Sequence, residues 1–81
     1  MFYVYVLKSL KNNKRYVGCT SKDPKIRLIE HNSGSNKWTR VNNPFRLIYK
    51  EEYNNKTQAL KRENFLKSGQ GRKFLDNIIP R

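Results

Sequence analysis

Two short runs near the start of the chain, Tyr3-Val4-Tyr5 and Tyr16-Val17-Gly18, hold residues that could do chemistry, and Arg27, His31 and Glu63 follow at wider spacing. A phenol whose pKa is lowered by neighbouring cations can accept a proton from water or hold that water in place. A guanidinium can lie against a non-bridging phosphate oxygen and stabilise charge in a transition state. An imidazole can orient water or carry a proton near neutral pH. One carboxylate suffices to hold Mg²⁺, which keeps several waters and takes its other oxygens from substrate phosphate. Together these are the groups phosphodiester hydrolysis requires, distributed over several elements as in a site assembled by folding. Each also has an ordinary reading. Strand tyrosines pack with the hydroxyl at the rim, Arg27 is one of 18 Lys+Arg, and Glu63 can pair with Arg62, Lys67 or a strand residue. The residues alone leave open whether Tyr5 or Tyr16 is the base.

The elements that must position these groups follow from pattern. Phe2 to Leu7 is unbroken apolar and rich in β-branched and aromatic residues, so it reads as a central strand covered on both faces. Period two puts Tyr3, Tyr5 and Leu7 on one face. Leu10 to Lys14 is a polar connector of hairpin length and Arg15 to Thr20 the antiparallel return, with Gly18 a bulge or a point of close approach. Asp23 can cap a helix with Pro24 in its first position, running to about Ser33 and stopped by Gly34. At 100° per residue Ile26 and Ile29 form its expected buried stripe, and Arg27 and His31, four apart, share another face.

The segment from Ser35 to Pro44 is polar and reads as the longest connection, with Trp38 its one large apolar residue; long loops of this kind tend to be functional. Phe45 to Tyr53 reads as a third strand beside the first. Asn54-Asn55 with Gln58 resembles a capping box opening a helix over about Lys56 to Ser68, ended by Gly69. Its expected stripe is Ala59, Leu60 and Leu66, and on the wheel Glu63 falls between Ala59 and Leu60. A carboxylate aimed at a core needs a partner. Of the other acids, Asp23 is a cap, Glu30 should face solvent, and Glu51-Glu52 and Asp76 lie at element ends. A last helix, Arg72 to Ile79, should end at Pro80 and return Phe74, Leu75, Ile78 and Ile79 to the sheet.

Composition bounds the function. At 81 residues the chain is expected to form one domain, residues 1–81. Lys+Arg 18 against Asp+Glu 6 gives a formal net charge of +12, which costs stability and is most simply explained by a polyanionic partner. A membrane fits less well, because the cations are spread over the chain and the apolar run after Met1 is too short to span a bilayer. Cys19 is the only cysteine and His31 the only histidine, which excludes an intrachain disulfide and a closed zinc site. Cys19 reads as a small packing residue. The expectation is a soluble cytoplasmic protein binding DNA, with Lys22, Lys25, Lys37, Trp38 and Arg40 as contacts, monomeric or weakly dimeric, with no protein partner identifiable. A non-catalytic nucleic-acid-binding module, with tyrosines and Trp38 stacking on bases, is the alternative; a ribosome-associated structural protein rests on size and charge alone.

With those residues in view, the chain resembles the GIY-YIG nuclease superfamily, most closely its small stand-alone endonucleases of the excinuclease-C N-terminal-like branch. Tyr3-Val4-Tyr5 stands at the first triplet, Tyr16-Val17-Gly18 at the second, Thr20 to Asn32 at the Arg-x-x-x-His helix, and Ala59-Leu60-Lys61-Arg62-Glu63 at the helix of the metal-binding glutamate. The resemblance implies an α+β fold, a three-stranded antiparallel sheet with the first strand central and helices around it. It also implies cleavage of DNA phosphodiesters with Mg²⁺ or Mn²⁺, as in DNA repair. It carries over Tyr5 and Tyr16 as the phenols, Arg27 as the phosphate-facing cation, His31 where relatives have Tyr or His, and Glu63 for the metal. Three departures stand out: the first triplet lacks glycine and isoleucine, Cys19 stands where some relatives have lysine, and of Asn64 and Asn77 neither clearly matches the downstream asparagine.

Overall fold

A computed structural model of the chain describes residues 1–34 and 36–79. Three strands and four helices follow one another as β1 (Phe2–Ser9), β2 (Arg15–Thr20), α1 (Pro24–Asn32), α2 (Lys37–Asn42), β3 (Phe45–Tyr53), α3 (Lys56–Lys67) and α4 (Gly69–Ile78). The sheet order is β2-β1-β3, both pairings antiparallel, so β1 is central as its apolar run requires. Val4 to Leu7 are all buried. In the β1–β2 register Tyr5 faces Gly18 and Leu7 faces Tyr16, which sets Tyr5, Leu7 and Tyr16 on one face and Val4, Val6, Val17 and Cys19 on the other. The first face gathers Tyr5, Leu7 and Phe45 with Leu28 of α1; the second gathers Val4, Val6 and Val17 with Ala59 and Leu66 of α3 and Leu75 of α4.

The β1–β2 connection is tied by the Ser9 N–H to the Lys14 carbonyl at 2.8 Å, and Asn13 takes the left-handed conformation at φ 64. Asp23 caps α1 by accepting from the Lys25 N–H at 2.9 Å. Gly34, at φ +80, lies just past the end of α1 and donates to the His31 carbonyl, the left-handed stop that glycine allows.

Several expectations are corrected. Ile26 and Ile29 do not form the buried stripe of α1: they are 48% and 67% exposed, while Pro24 and His31 are buried and Arg27 and Leu28 half-buried. The inward face is 24, 27, 28, 31, a helical repeat in which Pro24 and Leu28 alternate with Arg27 and His31 over the tyrosine face of the sheet, while the two isoleucines point away from it. The Lys37–Asn42 part of the expected connection is helical; Asn36 and Thr39 form a reciprocal cap, and Ser35 lies outside the described residues. Gly69 does not stop α3 as expected. Ser68 both closes α3 and caps α4 by accepting from Gly71, so the last helix begins at Gly69. Leu60 and Ile78 are exposed, leaving Ala59, Leu66 and Leu75 as the buried positions of these helices with Gly71. Pro80 lies outside the described residues. Among them, no helix is long and apolar enough to cross a membrane.

Candidate active site

Tyr5 is the centre of the arrangement. Its side chain is 1% exposed, and its ring lies across Gly18 so closely that a Cβ there would collide with Oη and Cζ. Gly18 is therefore neither bulged nor ornamental in β2: the absent side chain is the space the phenol occupies. The Tyr5 oxygen stands 3.0 Å from His31 Nε2, a buried hydrogen bond between strand and helix. His31 Nδ1 is buried without a partner among the described residues. The donor follows the tautomer: with the proton on Nδ1 the Tyr5 hydroxyl donates to Nε2, and with the proton on Nε2 the imidazole donates to the Tyr5 oxygen.

Burial raises the Tyr5 phenol above its ordinary pKa, and the nearby Arg27 guanidinium offsets this only in part. The expectation of a phenol lowered by cations is thus corrected for Tyr5: a hydroxyl taken out of water at the centre of a sheet resists ionisation. Burial, helped by the charge of Arg27, pushes His31 below its ordinary 6.5. That shift favours the neutral imidazole, the form that holds Tyr5.

Tyr16 is half-buried and better placed to meet solvent. Its ring lies 6.3 Å from Tyr5, 4.7 Å from His31 and 5.5 Å from Trp38, and Trp38 in turn stacks on Phe45 at 5.5 Å. Arg27, on the same inward face of α1, pairs with both Glu30 oxygens at 3.3 Å, and its nearness to the Tyr5 hydroxyl is the first cause that raises its own pKa. Glu30, expected in solvent, is half-buried in that pair.

Glu63 arrives from α3, on the other layer, and does not touch the tyrosine group directly. Its side chain is 17% exposed and its carboxylate meets Lys67 Nζ at 3.2 Å. Its charge nonetheless reaches across the hairpin. After burial, it is the next cause of the raised Cys19 thiol and adds a small push to Tyr5. Cys19 packs beside the Val4 cluster as expected, an un-ionised thiol. No group of three or more His, Cys, Asp or Glu stands together among the described residues. A single carboxylate such as Glu63 is a donor that Mg²⁺ can use while keeping its waters.

The expected nucleic-acid contacts Lys22, Lys25, Lys37, Trp38 and Arg40 are all exposed. Lys22 and Lys25 flank the start of α1, the others lie on α2, and Lys22 stands 3.8 Å from Glu30. One group that sequence reasoning passed over is Glu51. It is not a loose acid at an element end but the acceptor for Tyr49 and Tyr53 hydroxyls and, bidentately, for Arg62 Nε and Nη2 at 2.9 and 3.0 Å. The signal was Tyr49-x-Glu51-x-Tyr53, three residues that period two puts on one face.

A three-stranded sheet carrying a tyrosine hairpin, with an Arg/His helix over one face and a carboxylate helix over the other, defines a small α+β class built on that hairpin. The profile described as the GIY-YIG catalytic domain matches residues 1–75, and the chain belongs to that family. Similar proteins include a UPF0213 protein of Staphylococcus saprophyticus, 38% identical over 77 residues that cover 94% of this chain and 92% of the relative. A UPF0213 protein of Staphylococcus epidermidis is 39% identical over 67 residues, 82% and 79% of the two chains. The solution NMR structure of a UPF0213 protein from Bacillus halodurans matches with a TM-score of 0.57 at 33% identity, covering 96% of this chain and 85% of that one, and has the same fold.

Proposed function

We propose that the chain is a metal-dependent endonuclease that hydrolyses DNA phosphodiesters, of the small stand-alone kind related to the excinuclease-C N-terminal domain. It works as one domain, as a monomer or weak dimer in the cytoplasm. The observation that carries the reading is the convergence of Tyr5, Tyr16, Arg27 and His31 on one face of the sheet, four groups from three elements joined by a buried hydrogen bond and ring contacts.

Of the two phenols, Tyr16 is the base or water-positioning group. Tyr5 is buried and bound to His31, whereas Tyr16 opens toward solvent beside Trp38. Arg27 turns from Glu30 to a non-bridging phosphate oxygen, at little cost because a half-exposed ion pair is worth about 0.2–1 kcal/mol. Glu63 holds Mg²⁺ or Mn²⁺, which when bound supplies Lewis-acid charge to the phosphate. The Lys67 ammonium, on an exposed side chain, must leave its pair with Glu63 for this. That same pair is the observation favouring the alternative, a nucleic-acid-binding module without catalysis.

Nicking of supercoiled plasmid with added Mg²⁺ decides between them. Wild type should nick, and Glu63→Ala and Tyr16→Phe should each lose about a hundredfold or more, the scale expected for losing a metal ligand or a general base. Cleavage that survives Glu63→Ala sinks the nuclease reading. Absence of cleavage in Mg²⁺ and Mn²⁺ with binding intact supports the module.

A further inference from the structure

We propose that the outer edge of β2 is the track that holds the substrate strand, by its phosphates, as it continues away from the scissile bond. The proposal rests on the nuclease reading for what lies at the track's end. Among the described residues β2 pairs only with β1, so its other edge carries no strand there. A groove of about 680 Å³ follows that edge between Trp38 of α2 and the α3–α4 junction. Its floor is apolar, formed by Val17, Leu66 and Leu75. Its rim carries Lys14, Arg15, Lys67 and Arg72, and no acidic residue lines it.

Two side chains join this groove to the site. Tyr16 forms part of its wall and lies 4.7 Å from His31, while Lys67 lines it and reaches Glu63 at 3.2 Å. Tyr16 is thus shared by the site and the groove, and a strand lying on it meets both. Arg15 already pairs with Asp76, but Lys14 and Arg72 have no acidic partner among the described residues. They are the cations with most to gain from a phosphate, since nothing must be given up to bind it.

An acidic extended peptide added to the β2 edge would satisfy the same charges. A nucleic-acid strand is favoured because the groove opens off the tyrosine group and because a phosphate that draws Lys67 away also frees the Glu63 carboxylate. A peptide gains nothing from either connection. The four cations come from β2, its preceding turn, α3 and α4, so no run of basic residues in the sequence announces them.

The test compares Arg72→Glu and Lys14→Glu with Lys61→Glu, an exposed α3 position lining a separate cleft beside Tyr53 and Phe65. All three change net charge equally. Binding of labelled single- and double-stranded oligonucleotides is measured without divalent metal across a salt series. Each groove variant should weaken binding about tenfold and flatten the log–log salt slope by about one, with a distinctly smaller loss for Lys61→Glu. Equal losses in all three overturn the track, as does competition by an acidic peptide that Arg72→Glu abolishes while oligonucleotide binding stays intact. The two readings fail separately. If wild type nicks DNA and the groove variants nick with unchanged KM, the track falls and the nuclease stands. If nothing is nicked but only the groove variants lose binding, the track stands and the nuclease falls.

Discussion

Gly18 is confined to glycine by Tyr5, whose hydroxyl lies where a methyl would be. Gly18→Ala should force the ring off His31, costing about 1–3 kcal/mol by overpacking, read by urea unfolding, and most of the nicking activity with it. The phenol cannot yield as a flexible tip would, because it is buried and held at 3.0 Å by His31. His31 gives a pH dependence of known sign. Its folded pKa lies below the ordinary 6.5, so between the two values the unfolded chain binds more protons than the native one. Its contribution to stability is complete above that window and is lost as pH falls through it. Unfolding midpoints across mildly alkaline to mildly acidic buffers should decline for wild type, and less for His31→Gln. These residue types were legible in the sequence, and their spacing drew the right helix and hairpin. What was not legible was burial, because a histidine and an arginine occupy the inward face of α1 while two isoleucines face water.

At the scale of elements, the Glu51–Arg62 pair ties α3 to β3. Arg62 is bound in two places to β3 and lies over the rings of Phe65 and Phe74, 5.0 and 4.7 Å from their centroids. Burial alone would raise the Glu51 carboxyl. Hydrogen bonds from Arg62, Tyr49 and Tyr53 outweigh that and hold it below its usual range, while Tyr53 is pushed up to about 12 by burial and by the carboxylate. With Arg62 committed to Glu51, its neighbour Glu63 is turned toward the hairpin. Arg62→Ala should cost about 2–3 kcal/mol, since it strands a charged acceptor. It should also raise the Mg²⁺ concentration needed for half-maximal nicking, whereas Arg62→Lys should restore part of both. Unchanged Mg²⁺ dependence in a folded Arg62→Ala protein would show that the clamp does not set Glu63. Alternation in β3 carried this clamp in plain sight, but only pairing with α3, eleven residues on, makes Glu51 a structural acid.

Over the whole molecule, +12 on 81 residues makes binding to any polyanion steeply salt-dependent. Affinity for oligonucleotides should fall by orders of magnitude between low and moderate salt, and a flat response would overturn the charge argument. The hairpin, the central first strand, the third strand beside it and the capped starts of α1 and α3 were determined by sequence alone, because apolar period, turn residues and caps are local chemistry. Tertiary structure alone decided which faces are inside, that Tyr5 is raised and Tyr16 open, that Glu51 takes Arg62, and that four scattered cations rim the free edge of β2. Those are properties of neighbours distant along the chain, and a side chain's dielectric surroundings and partners do not exist until the chain has folded around it.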